Sequence, residues 1–260
     1  MRARELSIIF IFILIPLNSF SVITESKAEK IIQRLDDLYK ADKHTVELLE
    51  KFNRKMNILY MPDDEFVFGF KGVWGRANNS GEIFIAGGAR KNLFFTEETF
   101  LALVCHEIGH LLGGWPNGTF LLSYEGQADY YAANICMKKY YLKHLTSLKE
   151  KTYIHQYYFD LCNNKYPSKI EARICAKTMQ GGLNLAIASA LSIEEILLPG
   201  PAVQEHYETP ETLEGRDSPQ CISDTFEAGA LCDLDPSRNI EIDSKRDQFC
   251  SNRPKCWFKE

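Results

Sequence analysis

The segment Thr96-Glu-Glu-Thr-Phe-Leu-Ala-Leu-Val-Cys-His106-Glu107-Ile108-Gly109-His110-Leu-Leu112 decides how the rest of the chain is read. Thr96 is a good N-cap, Glu97 and Glu98 suit the positive end of a helix dipole, and Phe95 with Phe100 can staple the start. Gly113-Gly114 and Pro116 stop the pattern. Residues four apart share a helix face, so His106 and His110 can offer two imidazoles to a single cation. Glu107 then lies one step round the helix, beside that cation rather than on it. Two nitrogen ligands with an adjacent carboxylate able to take a proton from water are the minimum set of a metallohydrolase.

A catalytic zinc takes three protein ligands and keeps one position open. A third histidine at position 116 would extend the motif, but Pro116 stands there. The next helical stretch, Ser123-Tyr-Glu125-Gly-Gln-Ala-Asp129, offers a glutamate instead. The segment from Gly113 to Leu122 is long enough to reverse the chain and bring Glu125 back to the histidines. Asp129, four residues on, shares its face and is placed to accept the other ring nitrogen of a liganding histidine. Taken alone, the two carboxylates would read as a solvated acidic face.

Outward from this centre the chain divides into a short sheet before it and helices after it. Ser26-Lys-Ala-Glu29 reads as a capping box for a first helix through Ile31, Ile32, Leu35 and Leu38, and a second follows around Val46 to Phe52. Three apolar runs, Ile58 to Met61, Phe66 to Phe70 and Ile83 to Ala86, read as strands of one small antiparallel sheet, with Gly69, Gly72, Gly75 and Gly81 as turns. Beyond the motif, Ser123 caps one helix, and Ser168-Lys-Ile-Glu171 caps another that ends at Gly181-Gly182. Leu183 to Leu198 forms a further helix, and Ser218-Pro219 opens the last. The expected fold is α+β and mainly helical, a single domain over 22–260 with its core at about 57–200 and a disulfide-linked C-terminal part at 206–260.

Residues 1–21 differ in kind. Arg2 and Arg4 precede an apolar run from Ile8 to Leu17, and Ser19 and Ser21 supply small residues before a cleavage point. This is the layout of a secretory signal peptide, and the run is short of the ~20 residues that cross a bilayer. An uncleaved anchor is the competing reading; after removal no stable membrane span is expected. Eight cysteines behind such a segment imply disulfides and export to a periplasmic or extracellular compartment. Cys221 and Cys232, on one helix about 16 Å apart, cannot pair with each other. Cys105 has a competing reading as a buried free thiol. Net charge −5 and scattered lysines exclude an electrostatic footprint for nucleic acid. His44, His144 and His155 fit no ligand spacing, and Tyr153, Tyr157, Tyr158 and Phe159 read as core packing rather than a cleft lining.

The stretch Gly81-Glu-Ile-Phe-Ile-Ala-Gly-Gly, the helix with His106-Glu107-Ile-Gly-His110 and the segment Glu125-Gly-Gln-Ala-Asp129 resemble the gluzincin peptidases of the HtpX and CAAX-prenyl-protease type, a group with soluble periplasmic quality-control members. The resemblance covers roughly residues 66–140. It implies a minigluzincin-like core with the sheet packed on the motif helix. It also implies one zinc ion per chain on His106, His110 and Glu125, catalysis by Glu107, and Asp129 supporting a ligand from behind. The substrate would be a peptide or unfolded protein, added as a strand beside Ile83 to Ala86. The group's downstream His-Pro element is missing; His206, Tyr207 and Arg216 lie near Thr209-Pro210 and Ser218-Pro219 as candidates for stabilising a transition state, against their reading as surface residues. Two other functions stay open. One is a latent, chaperone-like zinc protein with a closed cleft, and the other is a disulfide-bonded module with a purely structural zinc.

Overall fold

The computed structural model describes residues 22–69, 73–193, 197–215 and 218–259. The expected signal segment and Arg216 lie outside the described residues. Two helices, α1 (Glu25–Lys40) and α2 (Lys43–Lys51), precede strands β1 (Asn57–Met61), β2 (Gly75–Ala77) and β3 (Glu82–Ala86). The motif helix α3 (Glu97–Leu112) follows, then α4 (Glu125–Tyr131), which passes through a π turn at Ala132–Cys136 into α5 (Met137–Lys143). Helices α6 (Leu145–Lys149), α7 (Gln156–Lys165), α8 (Lys169–Ser192) and α9 (Pro219–Leu231) complete the elements. The fold is α+β and mainly helical. α3 lies at its centre, packed against β2, α4 and α8, with every residue from Glu98 to Leu112 buried except His110.

The caps expected at Thr96, Ser168 and Ser218 form: each side chain accepts the backbone N–H three residues on, and Pro219 occupies the first turn of α9. Two others differ. α1 starts at Glu25 with Thr24 before it, which puts Ser26 inside the helix. Ser123 does not cap α4; its hydroxyl donates to the Gly114 carbonyl, and Tyr124 takes the cap position.

The sheet corrects the expectation of an all-antiparallel arrangement. Its order is β1-β3-β2, with β1 parallel and β2 antiparallel to β3. A parallel neighbour needs a crossover connection, and residues 62–81 supply it. Phe66 to Phe70 is not a strand. Val67–Gly69 forms a tight turn in which Phe68 and Gly69 are left-handed, and Phe70 is outside the described residues. The strand lies instead at Gly75–Ala77. It joins β3 through a turn in which the Asn78 side chain accepts from the Ser80 and Glu82 amides.

Gly181-Gly182 does not end a helix. α8 runs unbroken for 24 residues because both glycines serve close packing. A Cβ at Gly181 would lie 2.7 Å from the Glu98 carbonyl oxygen, and one at Gly182 2.2 Å from the Phe226 side chain. Leu183 to Ser192 is therefore the second half of α8, and the separate helix expected to Leu198 does not exist over its described residues.

All eight cysteines pair: Cys105–Cys136, Cys162–Cys175, Cys221–Cys256 and Cys232–Cys250. Cys221 and Cys232 take different partners, and Cys105 is not a free thiol. The Cys105–Cys136 bridge ties the residue before His106 to the π turn after α4. A loop of about 31 residues closed this way stabilises the fold by about 3–4 kcal/mol. Four such bridges fit an oxidising, exported environment, and no helix among the described residues is long and apolar enough to cross a membrane.

Candidate metal centre

The two motif helices meet backbone to backbone. A Cβ on Gly109 would lie 2.5 Å from the Ala128 carbonyl oxygen, so only glycine permits α3 and α4 to approach so closely between the histidines and Asp129. The connecting segment is knotted to both helix ends: the Ser123 amide donates to the His110 carbonyl, and the Gln127 side chain donates to the Gly113 carbonyl. The α4 N-terminus is held from the far end of the chain. The Glu125 amide, one of the helix's unsatisfied donors, finds the Glu214 carbonyl at 3.1 Å. Trp257 packs against Gly126, where a Cβ would come within 2.2 Å of its indole.

This scaffold brings His106, His110 and Glu125 together, with one donor atom of each within 4.8 Å of the others. The two Nε2 atoms are 3.1 Å apart, and the Glu125 oxygens lie 3.3 Å from His106 Nε2 and 3.5 Å from His110 Nε2. Each ring is oriented through its other nitrogen. His110 Nδ1 is 2.8 Å from the Ser123 carbonyl, which can only accept, so Nδ1 carries the proton and Nε2 a bare lone pair. His106 Nδ1 is 2.8 Å from Asp129 Oδ1, which orients its Nε2 the same way. Two lone pairs and a carboxylate thus converge on one point. A tetrahedral ion with bonds of about 2.0–2.1 Å has donor–donor edges of about 3.3–3.4 Å, so the observed spacings fit such an ion. The three residues could hold a metal.

Glu107 is buried beside this group, with Oε1 4.0 Å from His106 Nε2. Its carboxylate occupies the space that a side chain on β2 would otherwise fill: a Cβ on Gly75 would lie 2.4 Å from Oε1. Gly75 is thus a site residue that sequence reasoning missed, having read it as a turn. Nothing in the sequence distinguishes a turn glycine from one that makes room for a neighbour's carboxylate.

His106, Glu107, His110 and Glu125 all face one cleft of about 860 Å³, whose other walls include Trp74 to Ala77, Phe120, Leu185 and Glu214. Tyr157, Tyr158 and Phe159 pack in a separate cluster with α8. His206 and Tyr207 line a different hollow of about 500 Å³ beside Asp224 and Glu227, whose carboxyl groups burial pushes above the ordinary range. The strand addition expected beside Ile83 to Ala86 does not fit the sheet. β3 has neighbours on both sides and cannot take another. Both β1 and β2 are edge strands, and the one that borders the metal cleft is β2: Trp74 and Asn78 turn their backbones towards β3, which leaves those of Gly75 and Ala77 pointing outward.

Asp129 is fully buried, and its bond to His106 sets that ring's orientation. Asp129→Ala is therefore expected to weaken metal binding by about 10–100-fold, read by competition against a fluorescent chelator. An unchanged affinity would show that the ring is oriented by other contacts.

No family model, curated protein or solved structure matches this chain.

Proposed function

We propose that this protein is an exported zinc metalloendopeptidase of the gluzincin type, and that it hydrolyses peptide bonds of peptides or unfolded proteins. The observation that carries the reading is Glu107: a buried carboxylate beside a three-donor metal group, in a cleft open to substrate. Imidazole and carboxylate donors with these spacings favour zinc among biological cations. The order strand, His-Glu-x-x-His helix and Glu-x-x-Ala-Asp helix supports the family assignment. Three donors, rather than four, among the described residues supports a catalytic over a closed structural site.

Zinc, when bound, supplies Lewis-acid polarisation and a more acidic water. His106, His110 and Glu125 would hold it, and Asp129 and the Ser123 carbonyl hold the imidazoles so that their lone pairs face inward. Glu107 takes the proton from the attacking water and delivers it to the leaving amine as the scissile bond breaks. The free β2 edge aligns an extended chain next to Glu107, because Gly75 belongs both to that edge and to the Glu107 pocket. The four disulfides suit a periplasmic or extracellular setting.

The test is hydrolysis of a reduced, alkylated protein substrate by the full chain. Cleavage should stop with a chelator and return with one equivalent of Zn²⁺ per chain. Protein that binds one equivalent of zinc yet leaves the substrate intact would overturn the enzymatic assignment.

A further inference from the structure

Between the two motif helices the chain makes a strained tip. Phe120 and Leu121 are consecutive non-glycine residues with φ of 59° and 55°, in the left-handed region that disfavours bulky side chains. The tip is closed by hydrogen bonds from the Gly118 amide to the Leu122 carbonyl and from the Leu121 amide to the Gly118 carbonyl. Such a backbone persists where surroundings over-determine it. Here the agent is Arg54. Its guanidinium is buried, meets no carboxylate among the described residues, and donates instead to the carbonyls of Phe120 and Asn79. A buried cation committed to two carbonyls is a costly way to hold a surface turn.

The fold gains little from the ring that this arrangement presents. Phe120 is 66% exposed and has no stacking partner among the described residues, whereas Phe68, also left-handed, has its ring 5.0 Å from that of Phe84. Phe120 stands on the rim between the metal cleft and a hollow of about 440 Å³ over Arg54. Arg54 also fixes where that rim lies along the sheet. Asn79 belongs to the turn just after β2, so Phe120 is held at the Ala77 end of the free edge. Gly75 marks Glu107, and Ala77 is two residues, about 6.6 Å, further along.

We propose that Phe120 is a specificity-determining contact for the substrate, taking an aromatic or large aliphatic side chain of an extended peptide within about two residues of the scissile bond. Arg54 is the positioning residue that keeps its backbone in place. The proposal rests on the peptidase reading and extends it to the substrate class. The strained tip, the exposed ring and the buried guanidinium then have one explanation: the ring is held out for a partner the chain itself does not supply.

The experiment compares the zinc-loaded full-length wild type with zinc-loaded Phe120→Gly and Phe120→Leu on a set of octapeptides that carry either Phe or Ala at each position. Glycine relieves the left-handed strain, so the Tm of Phe120→Gly should stay level or rise while the preference falls. At one position within two residues of the cut, the ratio of kcat/KM for Phe over Ala peptides should drop roughly tenfold in Phe120→Gly. Phe120→Leu should recover much of it. A change that is uniform across positions, or no change, overturns the proposal. Peptide binding to Glu107→Gln protein, followed by fluorescence anisotropy, separates the two levels. If the wild type cleaves nothing, the peptidase reading falls. Loss of Phe-peptide binding on adding Phe120→Gly to that variant then still supports the contact, and equal or absent binding sinks it.

Discussion

Glu107→Gln is expected to lower turnover by roughly 10²–10⁴-fold while leaving zinc uptake and fold intact. The amide has the same shape as the carboxylate it replaces, so it fills the buried pocket beside Gly75 without a clash. It is not among the three converging donors, so the metal group keeps its full complement. What disappears is the group that takes the proton. Gly75→Ala approaches the same point from outside the motif. The atoms nearest its Cβ would all belong to the Glu107 side chain, with contacts of 2.4–2.8 Å to Oε1, Cγ and Cδ. A flexible side chain can turn away at small cost to the fold, so the variant should fold, bind zinc and lose most of its activity. Metal content by mass spectrometry, circular dichroism and kcat on a cleaved peptide check both. A zinc-loaded Glu107→Gln protein with wild-type kcat would remove the base assignment. An active Gly75→Ala protein would show that the carboxylate has room elsewhere.

Lys177→Met is expected to produce the largest loss of stability. Lys177 Nζ lies 2.8 Å from Glu98 Oε1, and both side chains are almost wholly buried. The ammonium also donates to the Ser147 carbonyl, and Thr152 donates to the other Glu98 oxygen at 3.0 Å. Removing the cation alone leaves a carboxylate in the interior without its counter-charge, at a cost of about 3–5 kcal/mol. For a chain of this size that lowers Tm by about 6–20 °C. The double variant Glu98→Leu with Lys177→Met removes both charges and should recover most of the loss. Glu98 belongs to the first turn of α3, and its carbonyl touches Gly181 of α8, so the pair sets how the motif helix docks. Thermal unfolding with disulfides intact reads the effect. A single variant within about 1 kcal/mol of wild type would show that water or a rearranged neighbour compensates the carboxylate.

Several local signals were legible because their chemistry lies within a few residues. Thr96, Ser168 and Ser218 cap their helices because an N-cap depends only on a side chain and the next three amides. His106 and His110 share a face because the helix repeat dictates it. Glu125 and Asp129 could be placed because the helix that carries them follows after one short reversal. The signals that misled were those with two physical meanings. Glycine marks a turn or a close approach, and at 75, 181 and 182 it was the second. Phe66 to Phe70 has the composition of a strand, yet Phe68 and Gly69 turn left-handed there. Ser123 has the identity of a cap, but its hydroxyl and its carbonyl serve Gly114 and His110 instead.

The sequence by itself determined the helical frame of the centre, its donor residues and the need for disulfides, since each follows from spacing along one element or from composition. Only the tertiary structure decided that β2 is the edge strand bordering the metal cleft, that Gly75 admits Glu107, that Glu214 and Trp257 secure α4 from about ninety or more residues away, and which cysteines join. The physical reason is one of range. Dihedral preferences and helix periodicity act between near neighbours, whereas excluded volume and hydrogen-bond pairing between distant segments exist only once the chain has closed on itself.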